Sequence, residues 1–282
     1  MPGTLFVVAT PIGNLEDITG RALRVLREAS MIAAEDTRRT ARLLARYAIT
    51  TPTTSLHEHN EAQKTGSLVA RLDRGENIAL VSDAGTPTIS DPGAGLIKAA
   101  IDAGIRVEPI PGPNAAIAAL AVSGLPTETF SFLGFPPTRS KARSEWFLRA
   151  RTLGGTIVFY EAPHRIRETL EQFRKEVGDC QVAVCRELTK VHEQLVRGPI
   201  TGVLTELGTP LGEFTIVAYI GQSTEHAVAR PLTAAEMLHE FSQLTNTEGL
   251  SRRLSVATLA KRHKMGANAI YKLIETGKKM VE

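Results

Sequence analysis

The feature that most constrains this chain is a short apolar segment that ends in a cluster of small and acidic residues. Ile78–Val81 shows no polar alternation, which is typical of a strand buried on both faces of a parallel sheet. The sequence SDAGTP follows at once, and a half-repeat, SDPG, begins at Ser90. Because ligands of open α/β sheets bind beyond the carboxyl ends of strands, this segment predicts one side of a ligand site. Asp83 there suits an amine or hydroxyl of a small ligand; capping of the next helix is the structural alternative.

Three further apolar runs are followed by clusters of Gly, Pro or acidic residues: Thr4–Thr10, Met31–Ala34 and Ile105–Ile110. Their clusters occupy residues 10–14, 35–38 and 111–114. Amphipathic segments between the runs predict helices, and such alternation is typical of a mostly parallel sheet with helices on its faces. All four clusters are therefore expected at the same rim of one sheet.

A second series of strands and helices is predicted further along the chain. Its apolar strands are Thr156–Tyr160, Gln181–Cys185 and Glu213–Ile220. Between the two series, Thr127–Lys141 is rich in Pro, Gly and Phe and has a basic end that extends to Arg143, which predicts a crossover followed by a long loop. The fold class is thus α/β, with one α/β domain over residues 1–113, a second over 114–224 and a small helical domain over 231–282.

Positive charge is concentrated in the helical tail. Residues 251–282 carry eight Lys or Arg against two Glu, a net charge of +6, while the whole chain is +3, so residues 1–250 sum to −3. Helices over Ser251–His263 and Ala267–Thr276, joined at Met265-Gly266, predict a helix-turn-helix shape. The asymmetry is typical of a nucleic-acid contact, and a solvated bundle docked on the body is the alternative.

Composition narrows the class of protein further. The 43% hydrophobic content fits a globular protein with a sizeable core, and no apolar run approaches the ~20 residues of a membrane span. The amino terminus lacks a basic region, so no signal peptide is expected. Cys180 and Cys185 are expected to be reduced thiols of a cytoplasmic protein, and the His and Cys spacing predicts no metal site. The GxGxxG and phosphate-loop patterns are missing, which disfavours a nicotinamide or flavin site.

Seven motifs, taken in order, resemble one known family. They are VATPIGNLEDIT at 8–19, AEDTR at 34–38, SLHEHNE at 55–61, LVSDAGTPTISDPG at 80–93, PIPGPNAA at 109–116, YEAPHR at 160–165 and RELTK at 186–190. Together they resemble the ribosomal RNA small-subunit methyltransferase I family, a branch of the tetrapyrrole methylases, over about residues 4–221. Asn114 departs from the Ser of many relatives in the wider group, but a small polar side chain is kept.

This resemblance implies S-adenosylmethionine-dependent 2′-O-methylation of a cytidine ribose in the decoding region of 16S ribosomal RNA. It also implies two α/β domains of tetrapyrrole-methylase type with the cofactor in the cleft between them, a homodimer, and a partner in the small ribosomal subunit. Two alternatives stay open: the same fold methylating a tetrapyrrole or another small molecule, and a non-catalytic ribosome-assembly factor. The basic tail counts against a tetrapyrrole, which needs a large apolar pocket.

The strand-end clusters then supply the expected contacts to S-adenosylmethionine. Asp83 is placed to accept from the amine or ribose, and backbone N–H groups are placed to meet acceptors. Pro11 and Tyr160 can pack on the flat or apolar parts of the ligand. The complete expected set is Pro11, Asp83, Ala84, Gly85, Thr86, Asn114, Ala115 and Tyr160.

Methyl transfer to a ribose hydroxyl depends on near-attack geometry and is helped by a base near the attacking oxygen. The candidate bases are Asp36, His57, Glu161 and Glu187. Asp36 can instead cap a helix, Glu187 can pair with a neighbouring cation, and His57 can contact RNA or have no role. Phosphate contacts, or else solvated surface charges, are expected at nine basic residues: Arg38, Arg139, Lys141, Arg186, Lys190, Lys261, Arg262, Lys264 and Lys272.

Overall fold

A computed structural model describes residues 1–208, 210–221, 233–247, 250–263 and 265–279 of the chain. The chain divides into two compact units, Met1–Ser223 and Thr224–Glu282. The described residues of the first unit form two five-stranded sheets. The predicted division of this unit at 113/114 falls between the sheets and stays a prediction, because both sheets belong to one unit.

The first sheet is fully parallel, as the alternation of strands and helices predicts. It consists of β1 (Thr4–Val8), β2 (Met31–Ala34), β3 (Thr53–Ser55), β4 (Ile78–Val81) and β5 (Arg106–Ile110). The strand order is β3-β2-β4-β1-β5, and every neighbouring pair runs in the same direction. β4 lies at the centre and all four of its residues are buried. The carboxyl ends of the five strands therefore share one rim.

Helices cover both faces of this sheet: α1 (Gly20–Glu28), α2 (Thr37–Arg46), α3 (Glu61–Asp73) and α4 (Ala94–Asp102). α1 and α2 pack on one face through residues such as Leu26 and Leu43. α3 and α4 pack on the other through Leu68 and Leu96. α2 begins where the side chain of Asp36 accepts from the Arg38 N–H, so the sequence fixes this helix start directly after β2.

The second sheet is mixed. Its strands are β6 (Phe130–Phe132), β7 (Thr156–Glu161), β8 (Gln181–Arg186), β9 (Gln194–Pro199) and β10 (Phe214–Tyr219), in the order β6-β7-β10-β8-β9. Only β6 and β7 pair in parallel. One face is covered by α5 (Ala115–Ser123). The other is covered by α6 (Ser140–Leu153), α7 (Ile166–Val177) and α8 (Ile200–Glu206).

The long loop predicted over Thr127–Lys141 is wrong in part. Phe130–Phe132 adds to the edge of the second sheet, and α6 already begins at Ser140. Trp146 anchors α6, since its ring N–H donates to the Leu133 carbonyl at 3.1 Å. Arg143, expected at the basic end of a loop, is only 7% exposed on the buried side of this helix. The strand is short and half-buried, and a buried arginine breaks the apolar stripe of the helix, so neither pattern is visible in the sequence.

The second unit is helical, as predicted. It contains α9 (Ala234–Ser242), which continues as a π-helical turn over Gln243–Thr247, followed by α10 (Arg252–Arg262) and α11 (Ala267–Lys279). Met237, Leu259 and Ile270 are fully buried in its core. A Cβ on Gly277 would come within 2.3 Å of the Ala234 carbonyl oxygen, so glycine lets α9 and α11 approach closely. In the described part of the chain, no helix combines the length and apolar character needed to cross a membrane.

Candidate active site

A cavity of the first unit lies where the strand ends of the two sheets meet, as the sequence predicts. Its volume is about 390 Å³, within the range of small-molecule sites. The first sheet contributes loops that follow β1, β2, β4 and β5, including Ile12, Glu35 and residues 83–86. The second sheet contributes residues 160–163, at the end of β7 and directly after it, and residues 213–215 at the start of β10. A ligand in this cavity would therefore contact both sheets.

One wall of the cavity is acidic. Asp83 accepts from the Asp36 N–H at 3.0 Å and pairs with the Arg39 guanidinium at 3.1 Å. The Asp83 N–H in turn donates to the Glu35 carboxylate at 3.2 Å, which ties the ends of β2 and β4 together. Asp83 therefore does not cap the following helix. With Asp91, three carboxylates line the wall against one guanidinium, so the wall favours a cationic ligand.

Asp91 is a lining residue that the sequence reasoning missed. Burial raises its pKa to about 6; the nearby Glu35 and Asp83 carboxylates add to the shift, and a hydrogen bond with Ser82 opposes it. Burial likewise raises the pKa of Glu35. The loop that carries Asp91 holds Thr88 and Ser90 at φ +73° and +68°, a region in which such strain typically marks functional sites. The repeated Ser-Asp step was the available signal for this residue.

The turn after β4 depends on Gly85, which has φ +83°. Its N–H donates to the Thr10 carbonyl at 2.9 Å, and its carbonyl accepts from the Thr10 N–H at 2.8 Å. The Gly85 N–H is therefore taken by the protein, contrary to the expectation that it meets a ligand. The N–H groups of Ala84 and Thr86 have no protein acceptor among the described residues. These two remain available to a ligand.

Asn114 shapes the next part of the wall by capping α5. Its Oδ1 accepts from the N–H groups of Ala116 and Ile117 at 3.0 and 3.2 Å. The Ala115 N–H has no protein acceptor among the described residues and lies at the positive end of the helix. This end suits a ligand carboxylate. Asn114 therefore still caps α5 at the position where many relatives in the wider group have Ser.

Another part of the cavity lining is aromatic, around Tyr160. Its ring lies 4.9 Å from the Phe132 ring and 5.4 Å from the Phe135 ring, measured between centroids. Burial raises the pKa of the Tyr160 hydroxyl, a hydrogen bond with the Ala116 backbone opposes this, and the nearby Asp91 carboxylate adds to it. Pro11 is buried and does not line the cavity; its neighbour Ile12 does.

Glu161 lines the cavity, but its carboxylate is committed to the protein. It is 1% exposed and pairs with Arg165 at 2.6 Å. Its Oε2 accepts from the Thr169 hydroxyl at 2.5 Å, and its Oε1 from the Ala162 N–H at 2.7 Å. Arg143 lies 4.0 Å away. Both oxygens are thus occupied, which favours a structural role over that of a base.

Two other candidate bases lie outside the cavity lining in structural positions. The Arg38 side chain, by hydrogen bonding, lowers the pKa of Asp36 to about 2, and the Asp36 carboxylate caps α2. Glu187 accepts from Lys190 at 2.9 Å and from the Glu213 N–H at 2.8 Å. Desolvation acts to raise the pKa of Glu187, but these hydrogen bonds prevail and lower it. The geometry favours the structural alternative for both.

His57 follows β3 at the edge of the first sheet and is also outside the cavity lining. Its Nε2 lies 3.0 Å from the Asn60 side-chain nitrogen. Its Nδ1 is buried and has no hydrogen-bond partner among the described residues. The structure does not bring His57 together with the acidic wall.

The basic residues expected at RNA fall into three groups. Arg38, Arg139 and Lys141 are exposed, and Lys272 is exposed on α11. Lys190 and Arg186 are engaged by the protein, through Glu187 and Glu213 for the lysine and the Leu211 carbonyl for the arginine. The remaining expected contacts, the side chains of Lys261 and Arg262 and all of Lys264, lie outside the described residues.

Residues 4–204 match the family model described as Tetrapyrrole (Corrin/Porphyrin) Methylases. The chain therefore belongs to the tetrapyrrole methylase family, within the group whose curated members are named ribosomal RNA small subunit methyltransferase I. It is 44% identical to the Synechocystis sp. protein of that name over 274 residues, covering 96% of this chain and 97% of that protein. It is also 44% identical to the Vibrio cholerae protein over 273 residues, covering 95% and 93%.

Solved structures with the same fold are more distant. Diphthine synthase aligns with a TM-score of 0.59 at 16% identity, covering 77% of this chain and 90% of that one. A cobalt precorrin-4 methyltransferase aligns with a TM-score of 0.57 at 18% identity, covering 77% and 94%. The Thermus thermophilus uroporphyrin-III C-methyltransferase, solved with S-adenosyl homocysteine, aligns with a TM-score of 0.55 at 16% identity, covering 77% and 98%. These likenesses establish the fold of the two sheets.

Proposed function

We propose that this chain is an S-adenosylmethionine-dependent methyltransferase that acts on small-subunit ribosomal RNA. The observation that carries the proposal is its 44% identity, over nearly the whole of both chains, to proteins named for that activity. The cavity between the two sheets is consistent with it, since its lining includes three carboxylates and the aromatic rings of Phe135 and Tyr160. Carboxylates and aromatic rings both attract a cation such as a sulfonium methyl donor.

The residues of the cavity fit S-adenosylmethionine. The uncompensated carboxylates of the acidic wall suit the ammonium and sulfonium charges. The free N–H groups of Ala84, Thr86 and Ala115 suit its carboxylate and hydroxyl oxygens. Tyr160 and Ile12 suit its flat and apolar parts. Bound there, the cofactor supplies an activated methyl group on a positively charged sulfur.

Proton transfer from the acceptor hydroxyl is assigned to Asp91. Each of the four bases suggested by the sequence is either engaged by the protein or lies outside the cavity lining. Asp91 lines the cavity, and its pKa of about 6 leaves it ionised at neutral pH yet able to take a proton. Glu35 and Asp83 are the other two carboxylates of the wall.

The finer assignment is that the acceptor is a cytidine 2′-hydroxyl in the decoding region of 16S ribosomal RNA. We propose that the substrate is presented within the small ribosomal subunit, and that the enzyme acts as a homodimer in the cytoplasm. The seven motifs shared with the methyltransferase I family support these assignments.

Transfer of labelled methyl groups tests the proposed function. The protein is incubated with methyl-labelled S-adenosylmethionine and either naked 16S ribosomal RNA or assembled small subunits. The expected result is label in 16S RNA at a ribose that resists alkaline cleavage at its 3′ side. Binding of the cofactor with no transfer to either substrate contradicts the proposal and favours the non-catalytic assembly factor. Transfer to a tetrapyrrole alone contradicts it in favour of a small-molecule substrate.

A further inference from the structure

Helix α2 carries four arginines and no acidic residue in the sequence TRRTARLLAR. Arg38, Arg42 and Arg46 recur every fourth residue, so they lie along one side of the helix, about 6 Å apart along its axis. All three are exposed. The other side buries Leu43 and Leu44 against the first sheet. We call these three residues the arginine stripe.

The charge of the stripe is largely uncompensated. Arg42 and Arg46 have no carboxylate partner among the described residues, and the Arg46 guanidinium lies 5.8 Å from the centre of the Tyr47 ring. Arg38 pairs with the cap residue Asp36, but its side chain stays 89% exposed. The arginines of neighbouring α1, by contrast, have ion-pair or hydrogen-bond partners.

On α1, Arg21 pairs with Glu108 and Arg24 with Glu28. Arg27 donates to the Tyr47 carbonyl at 3.2 Å. The two helices pack on the same face of the sheet, yet only α2 presents a row of cations without matching anions. This contrast is not expected of an ordinary solvated helix.

The arginine stripe connects two concave surfaces. Arg39, next to Arg38, lines the cavity and pairs with Asp83. At the other end of α2, Arg46 lines an open groove of about 750 Å³, together with residues 13–16 and 189–192. Ten residues of helix span about 15 Å. A chain-like ligand can thus run from the cavity mouth along α2 into the groove.

The groove is held in shape by contact between the two halves of the first unit. The Asn14 N–H donates to the Thr189 hydroxyl at 3.0 Å. Gly13 lies so close to the same loop that a Cβ would come within 2.9 Å of the Leu188 carbonyl oxygen. Thr189 has φ +66°, a strained conformation kept by these contacts. The groove is therefore formed before any ligand arrives.

We infer that the arginine stripe and this groove hold the single RNA strand that flanks the methylated ribose. Regularly spaced guanidinium groups match successive phosphates, which they bind in bidentate fashion. A ribose enters a cavity most readily from an unpaired segment of RNA, which is the form that proteins mostly recognise in a sequence-specific way. The proposed strand that crosses α2 is therefore a single strand. The inference rests on the proposed function and names the surface by which that substrate is held.

Two double variants test it. R42Q/R46Q removes two arginines of the stripe, and R24Q/R27Q removes two arginines from α1, with the same loss of charge on the same face of the sheet. RNA binding is measured against salt concentration on a 16S fragment and on small subunits. Each phosphate contact on a single strand contributes about 0.7 to the slope of log K against log salt. R42Q/R46Q is expected to lower that slope by about 1.4 and to raise the KM for RNA about tenfold.

For R24Q/R27Q we expect a slope within about 0.3 of the wild type, and for both variants an unchanged affinity for S-adenosylmethionine by calorimetry. Equal losses in the two variants would assign the effect to net charge and overturn the inference, and so would no loss in either. Wild-type protein that transfers no methyl group to RNA identifies failure of the proposed function instead. Loss of binding to an acidic polypeptide, with RNA binding intact, would overturn the inference in favour of a protein partner.

Discussion

At the scale of single residues, Asp91 lowers the stability of the folded protein at neutral pH while serving the proposed proton transfer. Its pKa in the folded protein, about 6, stands above the ordinary 3.8, so the folded state holds this proton more tightly than the unfolded state. Its contribution to the free energy of unfolding is therefore present in acid and is lost as the pH rises from about 4 to about 6. The Asp91→Asn variant has no ionisable group at this position, so it does not lose this stability as the pH rises.

We expect D91N to have the same free energy of unfolding as the wild type near pH 4. At pH 7.5 its free energy of unfolding should be about 1 kcal/mol higher than that of the wild type, after allowance for the partial exposure of the side chain. Its kcat should fall about 10²-fold with cofactor affinity changed little. Denaturant titrations at several pH values, with single-turnover kinetics, check both. A variant with normal kcat would remove Asp91 from proton transfer.

Asp83 combines a charge with a structural tie to the Asp36 N–H. Asp83→Asn keeps an acceptor for that N–H and removes only the charge, whereas Asp83→Ala removes both. Both variants are expected to weaken S-adenosylmethionine binding at least tenfold by calorimetry, and D83A alone to lose about 1 kcal/mol of stability. If D83N binds S-adenosylmethionine as tightly as the wild type does, the charge of Asp83 does not contribute to cofactor binding.

Gly13 is required by close packing, because a Cβ would meet Lys190 Cγ at 2.5 Å and the Leu188 carbonyl oxygen at 2.9 Å. Gly13→Ala should cost about 1–3 kcal/mol in the free energy of unfolding. Gly66→Ala is the matched control, since that helical position has nothing within 4 Å and should gain up to about 1 kcal/mol. Equal effects in denaturant titrations would contradict the packing argument.

At the scale of elements, the sequence predicts those that bury a continuous apolar pattern. β4, β7 and β10 are almost wholly buried, and each lies in a mostly apolar run of the sequence. β3 and β6 are three-residue edge strands with no fully buried residue, so tertiary pairing alone defines them. The buried ion pairs of Glu161 in β7, with Arg143 in α6 and with Arg165 directly before α7, likewise depend on tertiary contacts that the sequence pattern does not show.

Those ion pairs give a prediction for the element pair α6–α7. Removing the charge of Glu161 leaves Arg165 and Arg143 buried against a neutral partner. Glu161→Gln should lower the free energy of unfolding by about 3 kcal/mol, while Glu168→Gln, on the exposed side of α7, should change it by less than about 0.5 kcal/mol. Measured below the unfolding transition, kcat of E161Q should stay within tenfold of wild type. A loss of 100-fold would restore Glu161 as a base.

At the scale of the whole molecule, the position of the site was predictable and its chemistry only in part. Strand ends rich in Gly, Pro and acidic residues predict the edge of the sheet at which the site lies, because parallel topology brings those ends together. For Asp36 and Glu187 the sequence offers the helix cap and the local ion pair as alternatives, and the structure shows both contacts. The sequence could not show that Gly85 donates its N–H to the Thr10 carbonyl. It could not show that Asp91 turns into the cavity either. Those facts depend on contacts between segments far apart in the chain.

A crystal structure of the protein with S-adenosyl homocysteine tests the central claim most directly. We expect the ligand in the cavity between the two sheets, with its ammonium group against the acidic wall and its carboxylate at the N–H groups of the Ala84 turn or of Ala115. Ligand density on one sheet alone, or outside this cavity, would contradict the account.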